Sequence, residues 1–245
     1  MPVACCTTAE FIGAFLDGIQ AIKAAQSARP LFVTYLNAWC SNIAGRDPEY
    51  AQILRNADAV YADGQAIVWA SRILGSPLPE RVNAADFILD FCREAARRHV
   101  SVHLLGSANG VAAKAADTFL SAAPSLHITG ADSGYFHDNK GEILRKINSS
   151  APDLLILGLG VPMQEKWAMA HLEELNVRAI WCVGAMFEYH GKARARAPVW
   201  IRKAGLEWLF RLVLEPGRLW RRYLVGNCVF LHRLVSARIA RSPSA

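Results

Sequence analysis

Apolar runs short enough for strands recur along the chain, at 31–36 (LFVTYL), 59–62 (AVYA), 101–106 (SVHLLG), 126–131 (LHITGA), 153–160 (DLLILGLG) and 179–184 (AIWCVG). Between them lie segments with helical periodicity. In AADFILDFCREAARRH, for example, Phe87, Phe91 and Ala95 mark a core face and Asp90 the solvent face. Strands alternating with helices predict an α/β fold of Rossmann-like type, a mainly parallel sheet covered on both faces. Near-continuous runs such as LLILGLG fit strands buried on both sides.

The pattern changes near Gly191. Beyond it Leu206, Leu209, Phe210, Val213 and Leu214 follow the helical period with Arg211 on the other side, Pro216-Gly217 breaks the chain, and a second helix starting near Arg218 carries Trp220, Tyr223 and Leu224 beside Arg221 and Arg222. Two units are expected: a Rossmann-like domain over 1–191 and a basic amphipathic helical appendage over 192–245.

Charge sharpens that division. Residues 1–191 hold 15 basic and 19 acidic side chains, a net of −4; residues 192–245 hold 12 and 2, a net of +10. Three roles suit such a tail: nucleic-acid binding, an anionic membrane surface, or a helical subdomain with a solvated face. Tryptophans at 200, 208 and 220 on amphipathic segments favour the membrane over nucleic acid, because no nucleic-acid motif accompanies the charge. With 53% apolar residues the chain can bury a real core, yet no run is long enough to span a bilayer. MPVACCTTAEF has no basic residue before its first apolar segment and so does not resemble a secretory signal; a cytoplasmic location is expected. The six cysteines form no C-x-x-C pair and the seven histidines no H-x-x-x-H, so neither a built-in metal site nor a cofactor is expected. Apolar surface on a detached appendage could also favour a homo-oligomer.

Candidate chemistry collects where strands end. Asp63, in AVYADGQ, is either a helix cap or a proton acceptor at a ligand-binding edge. Asn37 is a turn former or a ligand contact, and Arg81 a solvated loop cation or a pocket residue. GSANGV, with Gly106 and Ser107, is an ordinary turn capped by Ser107 or Asn109, or a phosphate-approaching loop. GLGVPMQEKW places Gly158 and Gly160 before a helix but has Met163 where a dinucleotide fingerprint needs its third glycine. Gln164 suits hydrogen bonding to a polar ligand there, and Glu165 would complement the helix dipole. Glu188 could bind hydroxyls or pair with Lys192. Asn37, Asp63, Gly106, Gly158 and Glu188 all fall just beyond predicted strands, which in a parallel sheet share one rim and favour a ligand crevice.

YADGQAIVWASRILGSPLPERV, LLGSANGVAAKAA, ADSGYF, PDLLILGLGVPMQEKW, VGAMFEYHGKARARAP and GLEWLFRLVLEPGRLWRRYL, in that order between about 31 and 224, together resemble the successive blocks of the WecG/TagA/CpsF bacterial glycosyltransferases, glycosyltransferase family 26. The resemblance implies inverting, metal-independent transfer of a sugar from a UDP-sugar to a polyprenyl-diphosphate-linked saccharide, at the inner face of the cell membrane, in surface polysaccharide synthesis. It implies Asp63 as general base with Asn37, Arg81 and Gln164 beside it. The donor would lie on Gly106, Ser107, Gly134, Tyr135, Gly158, Gly160 and Glu188. The tail would dock the membrane and help complete the site; Arg218, Arg221 and Arg222 are candidates for the leaving diphosphate or for lipid headgroups. Three positions depart from the family pattern: Tyr35, Ala84 and Glu188 stand where threonine, glycine and aspartate are usual. A non-catalytic, nucleotide-binding adaptor is the alternative.

Overall fold

The computed structural model describes residues 3–25, 29–136 and 140–241. Six strands form one sheet: β1 (Leu31–Leu36), β2 (Ala59–Ala62), β3 (Val102–Gly106), β4 (Ile128–Asp132), β5 (Leu154–Gly158) and β6 (Ala179–Cys182). Their order is β2-β1-β6-β5-β3-β4 and every pairing is parallel. The first two strands match the predicted runs residue for residue, and the others lie within one or two residues of them or lose their glycine-bearing ends to turns. Helices α1 (Thr8–Ala25), α2 (Ala38–Ala44), α3 (Pro48–Asn56), α4 (Gln65–Ile73), α5 (Ala84–Arg97), α6 (Val111–Ala122), α7 (Lys140–Ser150), α8 (Met163–Ala170) and α9 (Met186–His190) cover both faces.

Alternation along each strand divides the core in two. On one face Val33, Leu104, Ile156 and Trp181 join Phe11, Phe15, Phe87 and Phe91 from α1 and α5. Trp181 is fully buried, stacks on Phe87 at 5.8 Å between centroids, and donates its Nε1 hydrogen to the Tyr61 hydroxyl at 3.1 Å. Each such ring removed from water is worth about 1.5–3 kcal/mol. On the other face Phe32, Leu105, Leu155, Leu157 and Ile180 meet Ile143, Ile147 and Ala168 of α7 and α8. The chain leaves β3 toward the first face through α6 and leaves β5 toward the second through α8. The loops after β3 and β5 therefore diverge, and a crevice opens at the carboxyl ends of those strands.

The tail continues as α10 (Val199–Lys203), α11 (Glu207–Leu214), α12 (Pro216–Trp220), a π-helical segment (Arg221–Val225) and α13 (Gly226–Arg241). It does not stand away from the domain. Phe230 and Leu234 of α13 are buried in the first core, Asn42 of α2 donates to the Gly226 carbonyl at 2.6 Å, and Arg233 donates to the Ser41 carbonyl at 3.0 Å. α13 thus packs across α2, holding the tail over the sheet edge.

Candidate active site

The rim of the sheet and the folded-back tail enclose a cavity of about 820 Å³. Of the residues named from sequence, Asn37, Asp63, Arg81, Ser107, Gly134, Tyr135, Gly158, Gly160, Glu188, Arg218 and Arg222 line it. Three do not.

Asp63 follows β2, and its backbone N–H donates to the Leu36 carbonyl at 2.9 Å, tying it to the end of the neighbouring strand. It is not a helix cap: Gly64 occupies that position for α4 and makes no side-chain capping bond. The half-buried carboxyl receives a hydrogen bond from the Asn83 amide at 2.9 Å, and the Asn37 side chain is a second hydrogen-bonding neighbour. Burial pushes its pKa up to about 6; the Arg81 guanidinium pulls the other way, and the Glu207 carboxylate adds to the rise. Asn37 does serve as a cap, accepting from the Cys40 N–H at 3.0 Å at the head of α2, and this fixes its side chain beside Asp63. Arg81 is anchored by ion pairs with Asp86 and, at 3.3 Å, with Glu207 of the tail. It is a strut between domain and tail as well as a cavity wall.

The glycines divide by cause. Gly106, expected on the donor, is buried and outside the cavity; a Cβ there would lie 2.5 Å from the Gly158 carbonyl oxygen, so the residue is dictated by the close approach of β3 and β5. Gly160 has φ +83 with open space around it and lies in the cavity wall. Ser107, at φ +59, has a buried hydroxyl with no partner among the described residues, and neither it nor Asn109 caps α6, whose cap is Gly110.

Gln164 is also corrected. It is completely buried beneath the cavity floor, donating to Glu165 Oε1 at 2.8 Å and accepting from the Gly184 N–H at 3.0 Å. Its amide braces the loops after β5 and β6, so it touches the site through Gly184 and does not itself line the cavity. Glu165, expected to complement the helix dipole, stands in the first turn of α8 and is sealed in with it. There it accepts from the Thr34 hydroxyl at 3.0 Å, and burial pushes its pKa up to about 7. Glu188 pairs with Arg194 and not with Lys192.

The tail supplies a second wall of Trp208, Arg211, Arg218, Arg222 and Tyr223. Arg211 was read from sequence as lying opposite the core-facing stripe; that side of α11 faces the cavity. Its guanidinium lies 5.9 Å from the Tyr189 ring centroid, and its Nε is buried without an acceptor among the described residues. The same holds for the Nε of Arg222, which stacks on Trp39 at 5.6 Å and on Tyr223 at 5.6 Å. Arg218 is held by Glu215 at 2.5 Å. Arg221 leaves the group: it stacks on Trp220 at 5.2 Å and lines a separate groove. Among the described residues no three His, Cys, Asp or Glu side chains gather in a way that could hold a metal ion, and no helix is long and apolar enough to cross a membrane.

The cavity thus combines a carboxyl with a raised pKa, glycine loops, and the Ser107 hydroxyl and Arg211 and Arg222 Nε atoms, which have no partner among the described residues. It suits proton abstraction beside an anionic ligand. The Glycosyl transferase WecG/TagA/CpsF family matches residues 1–244. Over 224 residues the sequence is 28% identical to the N-acetylglucosaminyldiphosphoundecaprenol N-acetyl-beta-D-mannosaminyltransferase of Staphylococcus aureus strain MRSA252, covering 91% of this chain and 87% of that one. The enzyme of the same name from strain NCTC 8325 / PS 47 aligns with equal identity and coverage.

Proposed function

Because the chain belongs to the WecG/TagA/CpsF family of glycosyl transferases, we propose that it moves a sugar from a UDP-sugar to a saccharide carried on a polyprenyl diphosphate, with inversion and without a metal. One observation carries this assignment: Asp63, with its pKa pushed up to about 6, lines the same cavity as Arg211 and Arg222, whose Nε atoms are buried without an acceptor among the described residues. Above pH 6 the carboxylate takes the proton of the acceptor hydroxyl as its oxygen bonds to the anomeric carbon. The bond from that carbon to the diphosphate breaks, and its electron pair leaves on the UDP oxygen. Arg211, Arg218 and Arg222 meet the charge that develops there, while Ser107, Gly134, Tyr135 and Gly160 form the donor side of the cavity.

Inversion is supported by how the lining carboxylates are engaged. Glu188 is paired with Arg194 and Glu207 with Arg81, whereas Asp63 is hydrogen-bonded by a neutral amide. A single free base suits a one-step displacement. The outer surface of the tail exposes Trp200, Val213, Leu214, Leu224 and Ile239 among its arginines, which supports peripheral docking on the inner face of the cell membrane.

The staphylococcal relatives are named for an N-acetylglucosaminyldiphosphoundecaprenol acceptor, which makes N-acetylglucosamine on a lipid diphosphate the acceptor to try first. A panel of UDP-sugars, each offered with that acceptor in the presence of chelator, should yield one disaccharide with inverted anomeric configuration. No product from any donor would sink the assignment, and a retained configuration would sink the one-step displacement.

A further inference from the structure

Beside the main cavity lies a second, smaller groove of about 380 Å³, bounded by Trp39, Trp220, Val225 and Val229 with Arg46 and Arg221 at its edge. We infer that this groove receives the lipid end of the acceptor: its first isoprenoid units lie against the two tryptophans and the two valines, with diphosphate oxygens near Arg46 and Arg221. The inference rests on the acceptor class proposed above.

Three features of the groove select this occupant. First, it adjoins the catalytic cavity: Trp39 lines both, and Arg222, stacked on Trp39, lines the cavity side. A molecule with a sugar at Asp63 and a chain in the groove would cross at Trp39. Second, the chemistry matches an amphipathic anion. The surface is mostly apolar, no carboxylate lines it, and two guanidinium groups lie on its aromatic rings, Arg46 5.9 Å from the Trp39 centroid and Arg221 5.2 Å from that of Trp220. Third, the π-helical segment distributes its side chains between the two spaces. Arg222 and Tyr223 serve the cavity, Arg221 and Val225 the groove. Widened turns of this kind re-aim side chains that an α-helix would place elsewhere. The outer margin runs into the exposed apolar face of the tail, since Trp220, Val225 and Val229 are all substantially exposed. The remainder of a long polyprenyl chain would pass from there into the bilayer.

The test uses the full-length chain and calorimetric titration with farnesyl diphosphate and inorganic diphosphate, so it does not depend on sugar transfer. The native chain should bind farnesyl diphosphate more tightly than inorganic diphosphate by about ten-fold or more, the gain expected from burying a few methylene-sized groups. Val229→Asp should remove that increment, bringing farnesyl diphosphate down to the affinity of inorganic diphosphate, while leaving UDP binding and the melting temperature unchanged. Arg46→Ala should weaken farnesyl diphosphate without abolishing the preference for a chain. If Val229→Asp keeps the native preference, or loses UDP binding along with it, the inference is overturned. It is equally overturned if Val229→Asp impairs binding to anionic phospholipid vesicles and not to farnesyl diphosphate, which would make the groove a headgroup site. Native binding behaviour as described, in a chain that transfers no sugar, would refute the proposed reaction and leave the groove assignment standing.

Discussion

The two walls of the cavity arise in different ways. The sheet wall is built from residues at strand ends: Asn37 after β1, Asp63 after β2, Ser107 after β3, Gly158 at the end of β5. Parallel pairing alone brings these together, because all strands point one way and their carboxyl ends share one rim. The tail wall is built from Trp208, Arg211, Arg222 and Tyr223, which reach the cavity only because Phe230 and Leu234 bury themselves against the domain and α13 crosses α2. The sheet wall brings the proposed base, and the tail wall brings the arginines proposed to meet the diphosphate. Neither composes the cavity by itself, so the proposed reaction needs the tail in place. Truncation at residue 192 would therefore strip Leu219, Phe230 and Leu234 from buried positions, and point substitutions separate chemistry from folding more cleanly.

The largest effect should come from the sheet wall. Asp63→Asn keeps the shape and the hydrogen bond from Asn83 but removes the proton acceptor, so turnover should fall by about 10²–10⁴. UDP affinity should stay native by titration calorimetry. Unchanged turnover would mean that another group takes the proton.

On the tail wall, Arg211→Ala and Arg222→Ala should each lower kcat by roughly 10²-fold, the scale for losing one donor to a developing oxyanion. Arg218→Ala should cost less because Glu215 already engages that guanidinium. Equal losses at all three positions would argue for a diffuse field over specific contacts. A smaller change separates the walls by pH. Asp63 works only when ionised, so kcat should rise with pH through about 6 and then level, whereas the arginines stay charged throughout. A profile flat from pH 5 to 8 would remove Asp63 from the role of base.

How far each wall could be read from sequence follows from its origin. Alternating apolar runs specified the six strands, and polar residues just past them specified the rim, because strand ends are local features. Arg211 was invisible as a site residue. Helical periodicity shows which face of α11 opposes the apolar stripe, but not that the sheet rim lies across from it. Gln164 and Gly106 misled for the opposite reason: one lies in the first turn of α8 beyond β5 and the other ends β3, yet the first turns inward to hold Gly184 and the second yields space to the β5 backbone. The appendage was legible as basic and amphipathic, while its seat on α2 depended on contacts some 190 residues apart in sequence, such as Arg233 to Ser41. Only the folded geometry shows that Arg221 and Arg222, adjacent in the chain, line different spaces.

The smallest effect concerns two acids with raised pKa values, one open to the cavity and one sealed below it. Glu165 is buried with one oxygen receiving Thr34 and Gln164 and the other without a partner among the described residues; its pKa is pushed up to about 7. Its folded pKa exceeds the unfolded value. The stability that the protonated form contributes is therefore complete below the ordinary carboxylate range and is lost as pH rises through about 7. Glu165→Gln removes that loss, so thermal melts should show a gain on the order of 1–3 kcal/mol at pH 8 and little change at pH 4. The kcat profile should keep its rise near pH 6, because Glu165 does not reach the cavity. Asp63→Asn should show a similar gain above pH 6, but with the large loss of turnover given above. If Glu165→Gln instead moves the activity profile, the titrating group that governs turnover lies beneath the floor, and the sheet wall's acid is Glu165 acting through Gln164 and Gly184.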